Sequence, residues 1–233
     1  MSGHSHFHNI KLKKGAEDAK KSKLFSKLSK EISVAVKDGG TDIAFNPKLR
    51  SIVDKAKALN MPNDSIDKAI KRGSGELEGA TFEEFLMEAY GPDGIAVLIE
   101  GITDNKNRSI NEIKLLISQK GGKTVNEGAI KWMFERRGVI GGTSSLPRDD
   151  FELIAIEAGA DDISYEDEHP IIYTKPEDLE KVRKELEESN FKIEFSNLEW
   201  VPKENVSADE EKCSKFIEAI DEHEDVSNIY TNI

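Results

Sequence analysis

Lysine residues recur at helical spacing near the N-terminus. Lys20, Lys23, Lys27 and Lys30 share one face of a predicted helix over residues 18–37, and the apolar residues of that segment fall on another face. An exposed ammonium group contacts phosphate oxygens as a point charge, and each contact releases condensed counterions. The spacing therefore predicts a phosphate-binding surface. The alternative is a solvated helix face without a ligand.

Further cations lie before and after this helix. We expect an N-terminal arm before it, a second helix that begins at Pro47 with Asn46 as N-cap, and a third that ends at Gly73. No aromatic residue is interleaved among the cations in a way that would stack bases. The residues predicted to bind nucleic acid are Lys11, Lys13, Lys14, Lys20, Lys23, Lys27, Lys30, Lys48, Arg50, Lys71 and Arg72.

The distribution of charge along the chain supports this prediction. The net charge is −12, but residues 1–75 hold 16 Lys and Arg against 8 Asp and Glu. Residues 76–144 hold 8 against 11, and residues 145–233 hold 9 against 26. A basic segment joined to an acidic remainder indicates a polyanion-binding surface confined to one part of the molecule. The acidic remainder is a candidate surface for basic proteins.

The sequence shows no constellation typical of an active site. Beyond residue 8 the only histidines are His169 and His223, and no glycine-rich loop carries the Lys and Ser or Thr that cradle phosphates. Cys213 lies on the apolar stripe of a predicted helix, which indicates a core position. We therefore predict no catalytic residue, metal or cofactor, and a protein that is not an enzyme.

One polar loop precedes a predicted helix at residue 109. Asn105, Asn107 and Arg108 crowd the start of that helix, and helix N-termini attract anions. These residues are a candidate anion or partner site. An ordinary strand-to-helix loop with Asn and Ser caps explains them equally well.

The remaining pattern predicts an α+β fold. Residues 1–78 form the basic arm and a three-helix domain. Residues 136–201 follow the order strand–helix–strand–strand–helix–strand, which is ferredoxin-like. Residues 79–135 contain a strand expected over 129–134. This block lacks the helix and strand that would complete a ferredoxin-like unit, and residues 202–233 supply them. The expected architecture is two ferredoxin-like α+β domains, one inserted in the other.

Two exclusions follow from composition. No apolar run approaches the roughly 18 residues that suggest a membrane span, and no hydrophobic signal segment is seen, so we expect a cytoplasmic protein without membrane partners. A single Cys excludes an internal disulfide framework.

Several segments together resemble one family, YebC/PmpR, through their order and spacing. One departure lies in the arm, where His6 and Phe7 replace the family's usual Lys-Trp. The matching segments are Gly3-His4-Ser5, the basic stretch through Lys23, Asp38-Gly39-Gly40, Asn46-Pro47-Lys48-Leu49-Arg50, Asn60-Met61-Pro62-Asn63-Asp64, Ala69-Ile70-Lys71-Arg72-Gly73, Tyr90-Gly91-Pro92, Thr103-Asp104-Asn105-Lys106-Asn107-Arg108 and Ile229-Tyr230-Thr231-Asn232.

The resemblance implies a three-domain fold and a probable DNA-binding transcriptional regulator. It also implies an alternative, because mitochondrial relatives are described as translational activators of cytochrome c oxidase and bacterial members have been tied to the ribosome. The sequence shows no helix with Arg, Asn or Gln placed to contact base edges, so contact with ribosomal RNA by shape and phosphate fits equally well. In both cases Lys20, Lys23 and Lys27 are expected to face solvent.

Overall fold

The computed structural model describes residues 18–166 and 168–233, with side chains from residue 21 onward. These residues form seven α-helices and eight strands. In chain order they are α1 (Asp18–Gly39), α2 (Pro47–Ala58), α3 (Asn63–Gly73), β1 (Glu83–Tyr90), β2 (Ala96–Thr103), α4 (Lys106–Gln119), β3 (Lys123–Thr124), β4 (Phe134–Thr143), α5 (Arg148–Ala158), β5 (Asp162–Glu166), β6 (His169–Thr174), α6 (Leu179–Glu188), β7 (Lys192–Pro202), α7 (Glu210–Asp221) and β8 (Val226–Thr231).

Helices α1 to α3 pack around one apolar cluster, which we call the helical region (residues 18–73). Leu28, Ile32 and Leu49 are fully buried in it. The end of α3 lies directly on α1, since a Cβ added at Gly73 would lie 2.5 Å from the carbonyl oxygen of Ser33. No side chain larger than hydrogen fits at that position, so the glycine that ends α3 also permits the close approach.

The first sheet has the strand order β3-β1-β2-β8. Strand β1 pairs with β2 along its whole length, and β8 pairs with β2 from the far end of the chain, with a register irregularity at Glu100 and Gly101. A Cβ at Gly101 would lie 2.2 Å from the carbonyl oxygen of Asp225, so the glycine allows the residue before β8 to lie against β2. Helices α4 and α7 cover the apolar face of this sheet, where Ile113, Ile117 and Phe216 are buried.

The second sheet has the order β5-β6-β4-β7, with α5 and α6 against it. This is the strand order of a ferredoxin-like fold built from strand–helix–strand–strand–helix–strand. Its core contains Ile140, Ile172 and Val182, and the rings of Phe151 and Phe191 lie 4.9 Å apart. The predicted α+β class with an N-terminal helical region is confirmed.

The strand expected over residues 129–134 is wrong. Lys131–Met133 form a short 3-10 helix, and a strand begins only at Phe134. The cause is the buried carboxylate of Glu88 on β1, which accepts three backbone N–H groups of this segment at 2.5, 2.7 and 2.9 Å. Groups bonded in this way cannot join a sheet ladder, and β1 occupies the place beside β2. The three donors are Gly128, Ile130 and Lys131.

The described residues divide into two compact units. Phe134–Val201 form one, and residues 18–133 with Pro202–Ile233 form the other, which contains both the helical region and the first sheet. Among the described residues, no helix is both long enough and apolar enough to cross a membrane. The domain boundaries given above stay a prediction.

Candidate nucleic-acid interface

The predicted cations fall into three groups. Lys11, Lys13 and Lys14 lie outside the described residues, as does the side chain of Lys20. The histidine and phenylalanine of the arm lie outside them too. Of the remaining cations, Lys27, Lys30 and Lys48 lie against acidic residues of the first-sheet region. The others, Lys23, Arg50, Lys71 and Arg72, belong to the helical region. The position of Lys27 corrects the expectation from sequence.

Lys27 does not face solvent, so the expectation that it does is wrong. The residue is 9% exposed, and its Nζ donates to the backbone carbonyl of Asp221 and lies 3.4 Å from a carboxylate oxygen of the same residue. Burial lowers the pKa of the ammonium group, against the opposing attraction of Asp221. Lys27 therefore anchors α1 to the end of α7 and offers no free charge to a ligand.

Lys30, one turn further along α1, makes the same kind of contact. Its Nζ lies 2.5 Å from a carboxylate oxygen of Asp225 and donates to the carbonyl of Glu224 at 3.2 Å. The side chain of Asp225 is 2% exposed. The lysine face that the sequence indicates is thus, at these two positions, the contact between α1 and the segment that joins α7 to β8.

Asp225 collects donors from three parts of the fold. Besides Lys30, its carboxylate accepts from Ser109 at 2.5 Å, Thr103 at 3.2 Å and Arg108 at 3.3 Å. Burial alone would raise the pKa of this carboxyl, but the hydrogen bonds from Lys30, Ser109 and Arg108 outweigh it and the pKa is lowered. A single ionised carboxylate therefore joins α1, the end of β2, α4 and the start of β8.

The loop that precedes α4 contributes to this network. Asn105 is the N-cap of α4, since its side chain accepts the N–H of Arg108 at 3.1 Å. The guanidinium of Arg108 donates to Asp225 and, at 2.9 Å, to Asp104, and these contacts raise the pKa of Arg108. Asn107 is exposed. Asn105 and Arg108 thus make structural contacts, as in the alternative of an ordinary capped loop, and anion binding here stays a prediction.

Two cations of α2 also have partners within the protein. Lys48 is half exposed and lies 2.8 Å from Glu84 on β1 and 3.6 Å from Asp38 at the end of α1. Arg50 is half-buried and interacts with other residues. A phosphate could reach Lys48 only in competition with these carboxylates, so Lys48 is a weaker candidate than the sequence indicates.

Most of the other cations of the helical region are solvent-exposed lysines. Lys23 and Lys71 belong to the predicted set, and Arg72, which follows Lys71 in the chain, is half-buried. Because Gly73 touches the side chain of Val36, the chain neighbours Arg72 and Lys37 lie at the same end of the α1–α3 pair. We call the following the exposed lysines: Lys21, Lys23, Lys37, Lys57, Lys68 and Lys71.

The helical region also carries an exposed aromatic ring, which was not expected from the sequence. Phe45 is 84% exposed at the turn between α1 and α2. Buried Asn46 fixes the turn, because its side-chain amide donates to Ala35 and Gly40 at 2.8 Å each and its oxygen accepts from Leu49 at 3.0 Å. The sequence does contain an indication of this exposure, because Phe45 lies in the predicted turn between Gly39-Gly40 and Asn46-Pro47, where side chains usually face solvent.

The fold and surface define a class of protein, an α+β protein with a lysine-rich N-terminal helical region. A family model described as "TACO1/YebC protein N-terminal domain" matches residues 5–76, and one described as "TACO1/YebC second and third domain" matches residues 82–233. The chain belongs to this TACO1/YebC family, which confirms the resemblance seen in the sequence.

Relatives align over the whole chain. A "Probable transcriptional regulatory protein" of Halothermothrix orenii is 47% identical, with 100% of this chain and 94% of the relative covered. One of Thermotoga petrophila is 46% identical, with 100% and 93% covered. The crystal structure of a conserved hypothetical protein from Aquifex aeolicus superposes with a TM-score of 0.84 at 40% identity, covering 92% of this chain and 90% of that one.

Proposed function

We propose that this chain is a cytoplasmic, nucleic-acid-binding regulator of gene expression whose helical region contacts phosphates. The observation that carries the proposal is the set of exposed lysines on the helical region of a chain whose net charge is −12. The names of the relatives, probable transcriptional regulatory proteins, support a regulator and make duplex DNA the first ligand to test.

Electrostatics orients this contact. The exposed lysines attract a polyanion, whereas the acidic remainder of the chain repels it, so the ligand approaches from the helical region. Each lysine–phosphate contact releases counterions, and affinity should fall steeply as salt rises. The arm lysines Lys11, Lys13 and Lys14 extend the same positively charged segment.

The exposed face of α3 supports the alternative ligand, structured ribosomal RNA. Asp64 and Asp67 are exposed on the same face as Lys68 and Lys71. Two carboxylates on that face oppose its insertion into a major groove, where phosphates crowd both walls. A surface contact with a folded RNA tolerates them, because only the lysine tips need to reach phosphates.

Charge reversal of exposed lysines tests the proposal. The variant K23E/K68E/K71E replaces three positive charges of the helical region by negative ones, and K175E/K181E/K184E makes the same change at three exposed positions of the Phe134–Val201 unit. We expect the first to weaken binding to labelled duplex DNA or hairpin RNA at least tenfold in matched salt, and the second to change it little. Equal effects of the two variants would overturn the proposal.

Comparison of the ligands separates its two forms. Fluorescence anisotropy with duplex DNA, hairpin RNA and purified ribosomes at one ionic strength ranks the three. Preference for duplex DNA supports the transcriptional form, and preference for RNA or ribosomes supports translation.

The net charge of the inserted segment, with 17 Asp and Glu against 8 Lys and Arg over residues 136–201, also fits a basic protein partner.

A further inference from the structure

The segment between β3 and β4 presents a tryptophan to solvent. Trp132 is 66% exposed, although indole is among the side chains that gain most from burial. A neighbour in the same segment, Ile130, is fully buried and fixes the chain beneath it. The exposure of the indole therefore belongs to a well-anchored segment.

The anchoring is specific. Glu88, itself 3% exposed, binds the N–H groups of Gly128, Ile130 and Lys131, and its backbone carbonyl accepts from Val125 at 3.0 Å. Charge-assisted hydrogen bonds of this kind are stronger than neutral ones. The backbone directly before Trp132 is thus held by Glu88 at four points.

The single polar atom of the ring is already bonded. The indole Nε1 donates to the carbonyl of Ala129 at 2.9 Å. A partner therefore has no hydrogen bond to supply and meets only the aromatic face. The chain directly before Trp132 presents small and polar residues to solvent, since Asn126, Glu127 and Gly128 are exposed, so it adds no large apolar side chain to the indole.

We propose that Trp132 is a stacking site for an unpaired nucleobase. The site rests on the proposed function and deepens it: the lysines of the helical region bind phosphates, and the indole adds affinity for nucleic acids with single-stranded or looped segments. A fixed aromatic face suits this ligand because every base has a π face and stacking needs no hydrogen bond. A base inside an uninterrupted duplex cannot reach the ring.

The chain contains two tryptophans, which allows a direct spectroscopic test. In the W200F variant, Trp132 is the only tryptophan. Phenylalanine is chosen at position 200 because Arg136 lies 5.2 Å from the Trp200 ring, and the substitution keeps an aromatic ring beside it. Titration with a single-stranded oligonucleotide should quench the Trp132 fluorescence, and a blunt duplex of the same sequence should not. An unchanged emission on saturating binding would overturn the proposal.

Affinity measurements complete the test. We expect W132A to weaken binding to a hairpin with an unpaired loop by about tenfold, as is typical of losing one base stack, while W132F retains most of the affinity. L115A, which removes an apolar side chain that is 60% exposed on α4, is the matched control and should change nothing. If K23E/K68E/K71E weakens binding but W132A does not, the stacking site fails and the proposed function stands. If the unchanged chain binds no nucleic acid, the proposed function itself fails.

Discussion

Asp225 shows how one side chain can determine the position of several elements. It is nearly inaccessible to solvent, yet it is ionised because Lys30, Ser109 and Arg108 donate to it. Removal of one partner from such a network leaves charge or donors buried without compensation, which is more costly than the loss of an exposed ion pair. Asp225 is therefore structural, although one of its donors, Arg108, lies in the loop that the sequence indicates as a candidate anion site.

The variant D225N should lower the free energy of unfolding by about 3 kcal/mol at pH 7. The pKa of Asp225 is lowered in the folded state, so its contribution is complete above the ordinary carboxyl pKa of about 3.9 and is lost as the pH falls through the lower folded value. Urea unfolding from pH 7 to pH 2 should show the difference between unchanged chain and variant narrowing below about pH 4. A constant difference would contradict this assignment.

Lys27 and Lys30 should respond differently to the same substitution. K27M keeps the buried aliphatic stem and removes an ammonium whose pKa is already lowered by burial, so we expect a change within about 1 kcal/mol. K30M takes the nearest cation from buried Asp225 and should cost about 2 kcal/mol. Chemical denaturation of both variants measures this contrast, and equal losses would refute it.

At the scale of elements, the contacts of Glu88 determine the backbone conformation of residues 125–133. The variant E88A removes the acceptor of three backbone N–H groups and should destabilise the chain by about 2 kcal/mol. Hydrogen exchange should show faster exchange at Gly128, Ile130 and Lys131. E83A, at an exposed position of the same strand, provides the control, and unaltered protection in E88A would show that the segment is held by other contacts.

The sequence predicts local features of these elements better than distant ones. Asn46 caps α2 as expected, because a cap depends on residues three positions apart. The strand over 129–134 was wrong because Glu88, some 40 positions earlier, takes its N–H groups. The helical period placed Lys27 and Lys30 on one face, but their partners lie more than 190 positions away. Periodicity defines faces, whereas only the tertiary fold shows what covers each face.

At the scale of the whole molecule, the two compact units have separate cores. Phe151 is 2% exposed in the Phe134–Val201 unit, and F151A should cost this unit about 4 kcal/mol. Hydrogen exchange should then show lost protection in α5 and α6, while α1 to α3 keep theirs and the proposed binding to nucleic acid is unchanged. L153A, at a position 63% exposed on the same helix, should have almost no effect. Equal loss of protection in α1 would show that the units unfold together.

The positions of Lys30 and Asp225 in the chain have a consequence for biosynthesis. They are 195 residues apart, and β8, which completes the first sheet, follows Asp225 directly. At roughly 5–20 residues per second, a nascent chain carries its cationic helices for about 10–40 s before the acid that docks them is translated. During that interval Lys27 and Lys30 lack their acidic partners. The N-terminal part of the nascent chain therefore carries more unpaired positive charge than the same part of the finished protein.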